Sequence, residues 1–373
     1  MLPTVELQLV AGVAAASIST GLGWAAAVRL RQVCTKRVLI VGSGATASML
    51  IDAIESTPTR RYVVAGVARF DELADLIGPL RPTHIVLADD EPQRLPFDTL
   101  LRSRVRGVVV EDAVDFYERL TGTVAIEALT PGRLVLSHGF RNGDGPEAIA
   151  RAISIAAASL GLIMLAPLLA IVAIAVKLDS PGPVFFAQQR IGRDGRPFWL
   201  LKFRTMRACE EHPSEWVRDN EHRITRIGRW LRRARLDEVP QLINILRGEM
   251  NLIGPRPHPT CNAQMFEQAI AFYGLRSAVL PGITGWAQVR YGYANTLEEE
   301  IQKMRYDLYY IKNRSLRLDG RIVFETIGVL LWGRGATSVQ RPPGSHRLSS
   351  PPQTTHASAN PMAAVTFSAA GRS

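Results

Sequence analysis

Cysteine is scarce in this chain: Cys34, Cys209 and Cys261 are the only three in 373 residues, and they stand far apart. An odd, scattered set makes neither a disulfide framework nor a CxxC metal site, so a reducing, cytoplasmic setting is the simplest expectation. Histidine is nearly as sparse, and His212, His222 and His258 lack metal-ligand spacing, which predicts surface placement. Charged residues make up 21%, with acidic ones in the minority at 34 against 44 basic, for a net charge of +10. This balance favours an anionic partner: nucleic acid, acidic lipid or a phosphorylated substrate. Aromatics amount to 7% and are not interleaved with basic residues as stacking platforms, which counts against nucleic acid.

What the chain has in excess is apolar sequence, 47% of residues, and two uninterrupted stretches account for much of it. Leu7–Val28 carries no charge and, at about 1.5 Å per residue, can cross a hydrocarbon core of about 30 Å. A removed signal peptide is the competing reading. No positive residue precedes the stretch, whereas Arg29, Arg31, Lys36 and Arg37 follow it, so the positive-inside rule places residue 29 onward in the cytoplasm. Ile155–Val176 is again uncharged and is the stronger membrane signal. It has Arg141 and Arg151 before it and Lys177, Arg190, Arg193 and Arg196 after it, so both ends read as cytoplasmic. Pro167 in its middle removes a helix hydrogen bond. A kinked, re-entrant helix satisfies both observations; a straight span is the plainer alternative.

Between the stretches, KRVLIVGSGATASMLIDAI reads as strand, glycine turn and helix. Apolar runs at Tyr62–Val67, His84–Ala88 and Val108–Val110 alternate with helical stretches, which predicts a Rossmann-like α/β domain over residues 36–140. Gly42, Gly44 and Ala47 fit GxGxxA, a pattern that can bring backbone N–H groups to a phosphate. The second strand runs out through Gly66-Val67-Ala68-Arg69 without the acidic residue that supports NAD binding. A membrane-tethered, NAD-linked oxidoreductase is the alternative built on this turn; a regulatory or oligomerising domain without ligand is the plainer one, and it makes a homodimer reasonable. Residues 336–373, rich in Pro, Ser, Thr and Ala and without periodicity, read as a disordered tail.

After Lys177 the chain is dense in charge with a pattern. Ile227, Trp230, Leu231 and Ala234 recur at helical spacing among Arg226, Arg229, Arg232, Arg233 and Arg235, a basic amphipathic helix suited to a headgroup boundary. It runs into Asp237 and Glu238. Adjacent carboxylates after so many arginines fit a structural ion-pair network, or phosphoryl chemistry with a carboxylate nucleophile, a divalent cation and guanidinium groups on the phosphates. Pro240 favours the first turn of a new helix whose positive end faces the dyad. Prolines on both sides fix the backbone of Arg256, and Lys202 and Arg204 in KFRTM add phosphate-directed charge.

With GPVFF, KFRTM, LDEVPQL, GPRP, PGITGWAQV and YDLYY in order, residues 150–332 resemble the bacterial sugar transferase family, the polyprenyl-phosphate hexose-1-phosphate transferases. The resemblance implies an α/β membrane protein. Its parts would be an N-terminal membrane segment (1–35), the Rossmann-like domain (36–140) and a cytoplasmic-face catalytic domain (150–332). A re-entrant helix, 153–176, broken at Pro167, would anchor the last in the inner membrane. Larger members usually carry four N-terminal spans, where this sequence has room for one. It also implies that Asp237 is the nucleophile of a phosphosugar-aspartyl intermediate formed from a UDP-sugar with release of UMP. Asp237 and Glu238 would hold Mg²⁺, and undecaprenyl phosphate would accept the sugar phosphate. Lys202, Arg232 and Arg256 match phosphate-binding positions, Asp307 the acidic position of YDLYY, and Trp286 and Gln288 a site-shaping block.

Overall fold

The structure is a computed structural model. It describes residues 35–332 without 58–60, 89–94, 127–128, 130–131, 133, 135–136, 138, 141–143, 208–222, 293 and 295. The stretch Leu7–Val28, the tail 336–373, Cys34, Cys209, His212 and His222 lie outside the described residues.

The first unit is a parallel sheet wrapped by helices. Strands β1 (Lys36–Val41), β2 (Tyr62–Ala68), β3 (His84–Leu87) and β4 (Val109–Asp112) run in the order β2-β1-β3-β4. Both faces of the sheet are covered, which is why the central strands read as continuous Val/Ile/Leu runs rather than alternating ones. Helices α1 (Ala45–Ser56) and α4 (Ala113–Thr121) lie on one face, where Leu50, Ile54, Phe116 and Tyr117 meet Val38, Ile40 and Val86. Helices α2 (Leu73–Leu80) and α3 (Phe97–Val105) lie on the other, through Leu73 and Leu100 against Leu39, Val41 and Ile85. This is the expected Rossmann-like arrangement. Gly42 and Gly44 have φ of 126° and 110°, a region glycine alone enters freely. The Gly42 N–H donates to the Ala68 carbonyl at 2.9 Å, so this amide serves the sheet.

The second unit is built around helix α5 (Asp144–Asp179), the one helix among the described residues long and apolar enough to cross a membrane. Only 11% of its most apolar window is buried, unlike the core helix of a soluble protein. One stripe, Ser154, Ala158, Val172 and Val176, is buried against the protein, while Leu160, Ile163, Met164, Ile171, Ile174 and Leu178 point outward. The helix continues through Pro167 as one element. Proline deletes one hydrogen bond and bends a helix, and the ladder resumes on either side; Pro167 sits on the outward face.

The rest of the unit lies along α5. An antiparallel hairpin, β5 (Phe185–Ile191) and β6 (Pro197–Phe203), is followed by α6 (Arg226–Arg233), a 3₁₀ turn at Leu236–Glu238 and α7 (Gln241–Leu246). β7 (Asn251–Ile253) pairs in parallel with β8 (Gly282–Thr284), with α8 (Thr260–Ala269) and a 3₁₀ turn at Tyr273–Ala278 between them. Helices α9 (Trp286–Arg290), α10 (Leu297–Lys312) and α11 (Leu316–Trp332) complete it. Helix α6 matches its amphipathic reading in part: Leu231 is buried with Val172 and Val176, whereas Trp230 is 55% exposed and Ala234 is also exposed.

The two units meet along α10. Val124 and Ile126 leave the α/β unit to pack with Phe266, Met304 and Leu308, and the Val124 N–H donates to the Arg305 carbonyl at 3.0 Å. Lys312 reaches Glu118 at 2.8 Å and Asp115 at 3.6 Å, with the Lys312 and Glu118 side chains both buried. The indole N–H of Trp286 donates to the Gly122 carbonyl at 2.8 Å, under Arg290 and Arg321 guanidinium groups. Trp286 therefore joins the units. Removing one partner of a buried pair strands the other charge, so Lys312→Met is expected to lower unfolding stability by about 3–5 kcal/mol. Lys312→Met/Glu118→Leu should recover most of it. Denaturant unfolding of the detergent-solubilised chain measures both, and an unchanged midpoint for the single variant would count against the pair.

Candidate active site

The dyad sits where the backbone is forced to turn. Helix α6 ends at Arg233, and Arg235 takes φ 57°, an unusual conformation for a residue with a side chain. The following 3₁₀ turn presents Asp237 and Glu238 inward, just ahead of Pro240 at the N-cap of α7. Asp237 is 7% exposed.

Three basic residues from three places in the chain converge on Glu238. Its Oε1 accepts from Arg256 at 2.8 Å and Lys202 at 3.3 Å, and its Oε2 lies 3.9 Å from Arg235. Lys202 is carried by β6, whose alignment owes much to the buried amide of Asn244: it accepts from the Leu201 N–H and donates to the Trp199 carbonyl. Arg232 is held by Thr205, its Nε donating to Oγ1 at 3.0 Å, within electrostatic range of Asp237.

The charges divide unequally between the two carboxylates. Burial pushes Glu238 upward, but Arg256 and Lys202 outweigh it and hold the group well below the usual carboxylate range. Burial raises Asp237, with Lys202 pulling it down and the Glu238 charge pushing it up. Glu238 is thus an ion-paired anchor, and Asp237 is the carboxylate less committed to cations.

Arg256 is placed by an unusual clamp. Its two prolines have no N–H, and the four carbonyls from Pro255 to His258 each accept from another element: Gly282 N–H at 2.9 Å, Arg276 at 3.0 Å, Arg190 at 3.2 Å and Ile191 N–H at 2.9 Å. Gly254, Gly282 and Gly285 cross backbone to backbone, and a Cβ on Gly282 would lie 2.1 Å from the Gly254 nitrogen. The glycines of GPRP and PGITG are what let the two loops touch.

Two expected substrate ligands lie elsewhere. Arg204 is buried and donates to the carbonyls of Val176 and Ser180 and, through its other amino group, Pro181, at 3.3, 2.6 and 3.0 Å. It closes the C-terminal end of α5, where orphan carbonyls need donors. Asp307 is 2% exposed and ion-paired with Arg276 at 2.7 Å, one residue removed from Arg256. His258, expected at the surface, is buried with its Nδ1 2.7 Å from the Tyr273 hydroxyl. Burial, then Arg276, holds it well below its ordinary value. No local motif separates Arg190, Arg235 and Arg276 from the chain's many other arginines, so the sequence does not mark them as site residues.

Among the described residues no group of three or more His, Cys, Asp or Glu side chains gathers as a metal site. Two carboxylates do adjoin, and Mg²⁺ is commonly held by one or two carboxylates with water and substrate phosphates. Asp237 and Glu238 are the carboxylates that would hold such an ion.

A family model described as bacterial sugar transferase matches residues 146–333. The chain is 43% identical over 218 residues to a UDP-N-acetylgalactosamine-undecaprenyl-phosphate N-acetylgalactosaminephosphotransferase of Aeromonas hydrophila, covering 56% of this chain and 51% of that protein. It is 44% identical over 180 residues to a UDP-glucose:undecaprenyl-phosphate glucose-1-phosphate transferase of Escherichia coli K12, 48% of this chain and 39% of that one. With an undecaprenyl-phosphate glucose phosphotransferase of Komagataeibacter xylinus it shares 34% over 325 residues, 81% of this chain and 60% of that one. The chain thus spans about half the length of these curated relatives.

Burial, opposed by Glu238, pushes Lys202 down from 10.5 to about 8. The unfolded chain therefore holds more protons than the folded one between those values, so this group's contribution to stability rises with pH across that window. Competitive acetic-anhydride labelling of the chelator-treated protein should give Lys202 a midpoint near 8 and Glu238→Gln a lower one. A midpoint near 10.5 in the unsubstituted protein would contradict the geometry.

Proposed function

Since the chain belongs to the bacterial sugar transferase family, we propose that it transfers a sugar 1-phosphate from a UDP-sugar to undecaprenyl phosphate at the membrane. The observation that carries this reading is the unequal dyad: Glu238 is pinned by Lys202 and Arg256, while Asp237 lies within range of Lys202, Arg232 and Arg235 and keeps a raised pKa. An Asp237 oxygen attacks the sugar-bearing phosphorus of the UDP-sugar. The bond to the bridging oxygen breaks, UMP leaves with that electron pair, and a phosphosugar-aspartyl intermediate remains. A phosphate oxygen of undecaprenyl phosphate then attacks the same phosphorus and displaces the carboxylate, yielding the diphosphate-linked sugar. Lys202, Arg232 and Arg256 face the phosphates and offset the charge that develops on the leaving group. Asp237 and Glu238 would hold Mg²⁺, which when bound neutralises phosphate charge.

The re-entrant topology belongs to the same reading. Arg151, near the start of α5, donates to the carbonyls of Met250 and Ile245; Arg204 grips the other end, and the Ile227 N–H donates to Asp179. One protein body touches α5 along a length of about 40 Å, whereas a crossing helix would leave a water-side domain at one end. The outward stripe of α5 and exposed Trp230 on basic α6 then meet lipid, with the site on the cytoplasmic face of the inner membrane. The NAD-linked alternative draws no support from this site.

Membranes containing the protein should move radiolabel from the sugar phosphate of a UDP-sugar to undecaprenyl phosphate. Asp237→Asn should lower the rate by on the order of 10³-fold or more, and chelation should abolish it until Mg²⁺ returns. Near-normal transfer by Asp237→Asn would remove the nucleophile assignment. The relatives' names include both glucose and N-acetylgalactosamine, so a panel of UDP-sugars reads the sugar in the same assay.

A further inference from the structure

Of the four donors that hold the carbonyls of Pro255 to His258, one is a buried guanidinium whose every near partner lies on or behind this loop. Arg276 stands in the 3₁₀ turn ahead of β8. One of its terminal nitrogens donates to the Arg256 carbonyl at 3.0 Å and pairs with Asp307 at 2.7 Å; the other meets Nδ1 and Nε2 of His258 at 2.6 and 3.0 Å. Its guanidinium carbon lies 5.6 Å from the centroid of the Tyr273 ring. Asp307 and Arg276 are both buried, as are Glu300 and Lys303, which continue the network from α10 to His258. So many buried charges have a structural cost unless they are fully paired. Their arrangement is aimed at one target, the backbone of the residue that grips Glu238.

We propose that Arg276 is a positioning residue for the transfer reaction: oriented by Asp307, it fixes the Arg256 backbone so that the Arg256 guanidinium stays on Glu238 beside the reacting phosphorus. Asp307 then acts through Arg276 and does not touch substrate. The fork geometry matters, because a guanidinium can serve the carbonyl, the carboxylate and the imidazole together, whereas an ammonium is a single point charge. This inference rests on the proposed transferase reading, and its test separates the two.

The experiment uses the full-length chain in detergent or nanodiscs, with UDP-sugar and undecaprenyl phosphate. Arg276→Met should lower kcat by about 10²-fold, the scale of a small misplacement of a reacting group, with KM for the UDP-sugar little changed. Asp307→Asn should fall in the same direction by less. In an Arg256→Ala background, Arg276→Met should cost nothing further, because the group it positions is gone. A role confined to stability would instead lower the melting temperature and multiply with Arg256→Ala. Hydrogen–deuterium exchange of the peptide covering residues 254–258 should quicken in Arg276→Met while that of β1 stays unchanged, a readout independent of turnover. Unchanged exchange and kcat, or full multiplication of the two rate losses, would overturn the proposal. If Arg276→Met does not yield folded protein, Arg276→Lys takes its place under the same criteria. Absence of transfer by the unsubstituted protein would retire the transferase reading alone, and the exchange result would still decide the positioning.

Discussion

A carboxylate taken out of water must be paired, and Glu238 is where that requirement organises the second unit. Lys202 comes from a hairpin strand, Arg235 from the turn behind the dyad, and Arg256 from a loop after β7. None of these cations is near another in the chain's local structure, so bringing them to one oxygen pair commits the strand, turn and loop to a common geometry. The consequence falls on Asp237. With Glu238 paired to Lys202 and Arg256, Asp237 is left as the buried carboxylate less committed to cations.

The same logic of satisfying polar groups holds the apolar helix. Arg151 on α5 caps carbonyls of the catalytic body, and Arg204 on the catalytic body caps carbonyls of α5. Gly182 makes room for the second contact, since a Cβ there would lie 2.1 Å from the Arg204 guanidinium. A helix with one polar-tethered stripe and one bare apolar stripe suits a boundary with protein on one side and lipid on the other.

Helix α10 links these features to the α/β unit. Its buried residues toward the GPRP loop include Glu300, Lys303 and Asp307, while Arg305, through its backbone, meets the segment leaving the α/β unit and Lys312 pairs with Glu118 on α4. Both units therefore share one rigid element, and Trp286 adds a hydrogen bond across the same boundary.

Much of this was legible in residue order. The central strands β1 and β3 appear as apolar runs because a doubly covered sheet leaves no polar alternation, and Asp237-Glu238, GPRP and the uncharged stretch Ile155–Val176 carry their meaning locally. The adjacency of two carboxylates, the stiffness of a proline-flanked arginine and the apolar length of a helix are properties of the chain itself. Which cation meets which carboxylate is not. Arg204 follows Lys202 by two residues, just past the end of β6, yet one caps α5 and the other binds Glu238; Asp307, in a motif that suggested substrate, faces Arg276; His258, directly after the GPRP block, is buried beside it. Arginine looks the same in sequence whether it grips a carbonyl or a phosphate, and only the burial and distances set by the tertiary structure decide between them.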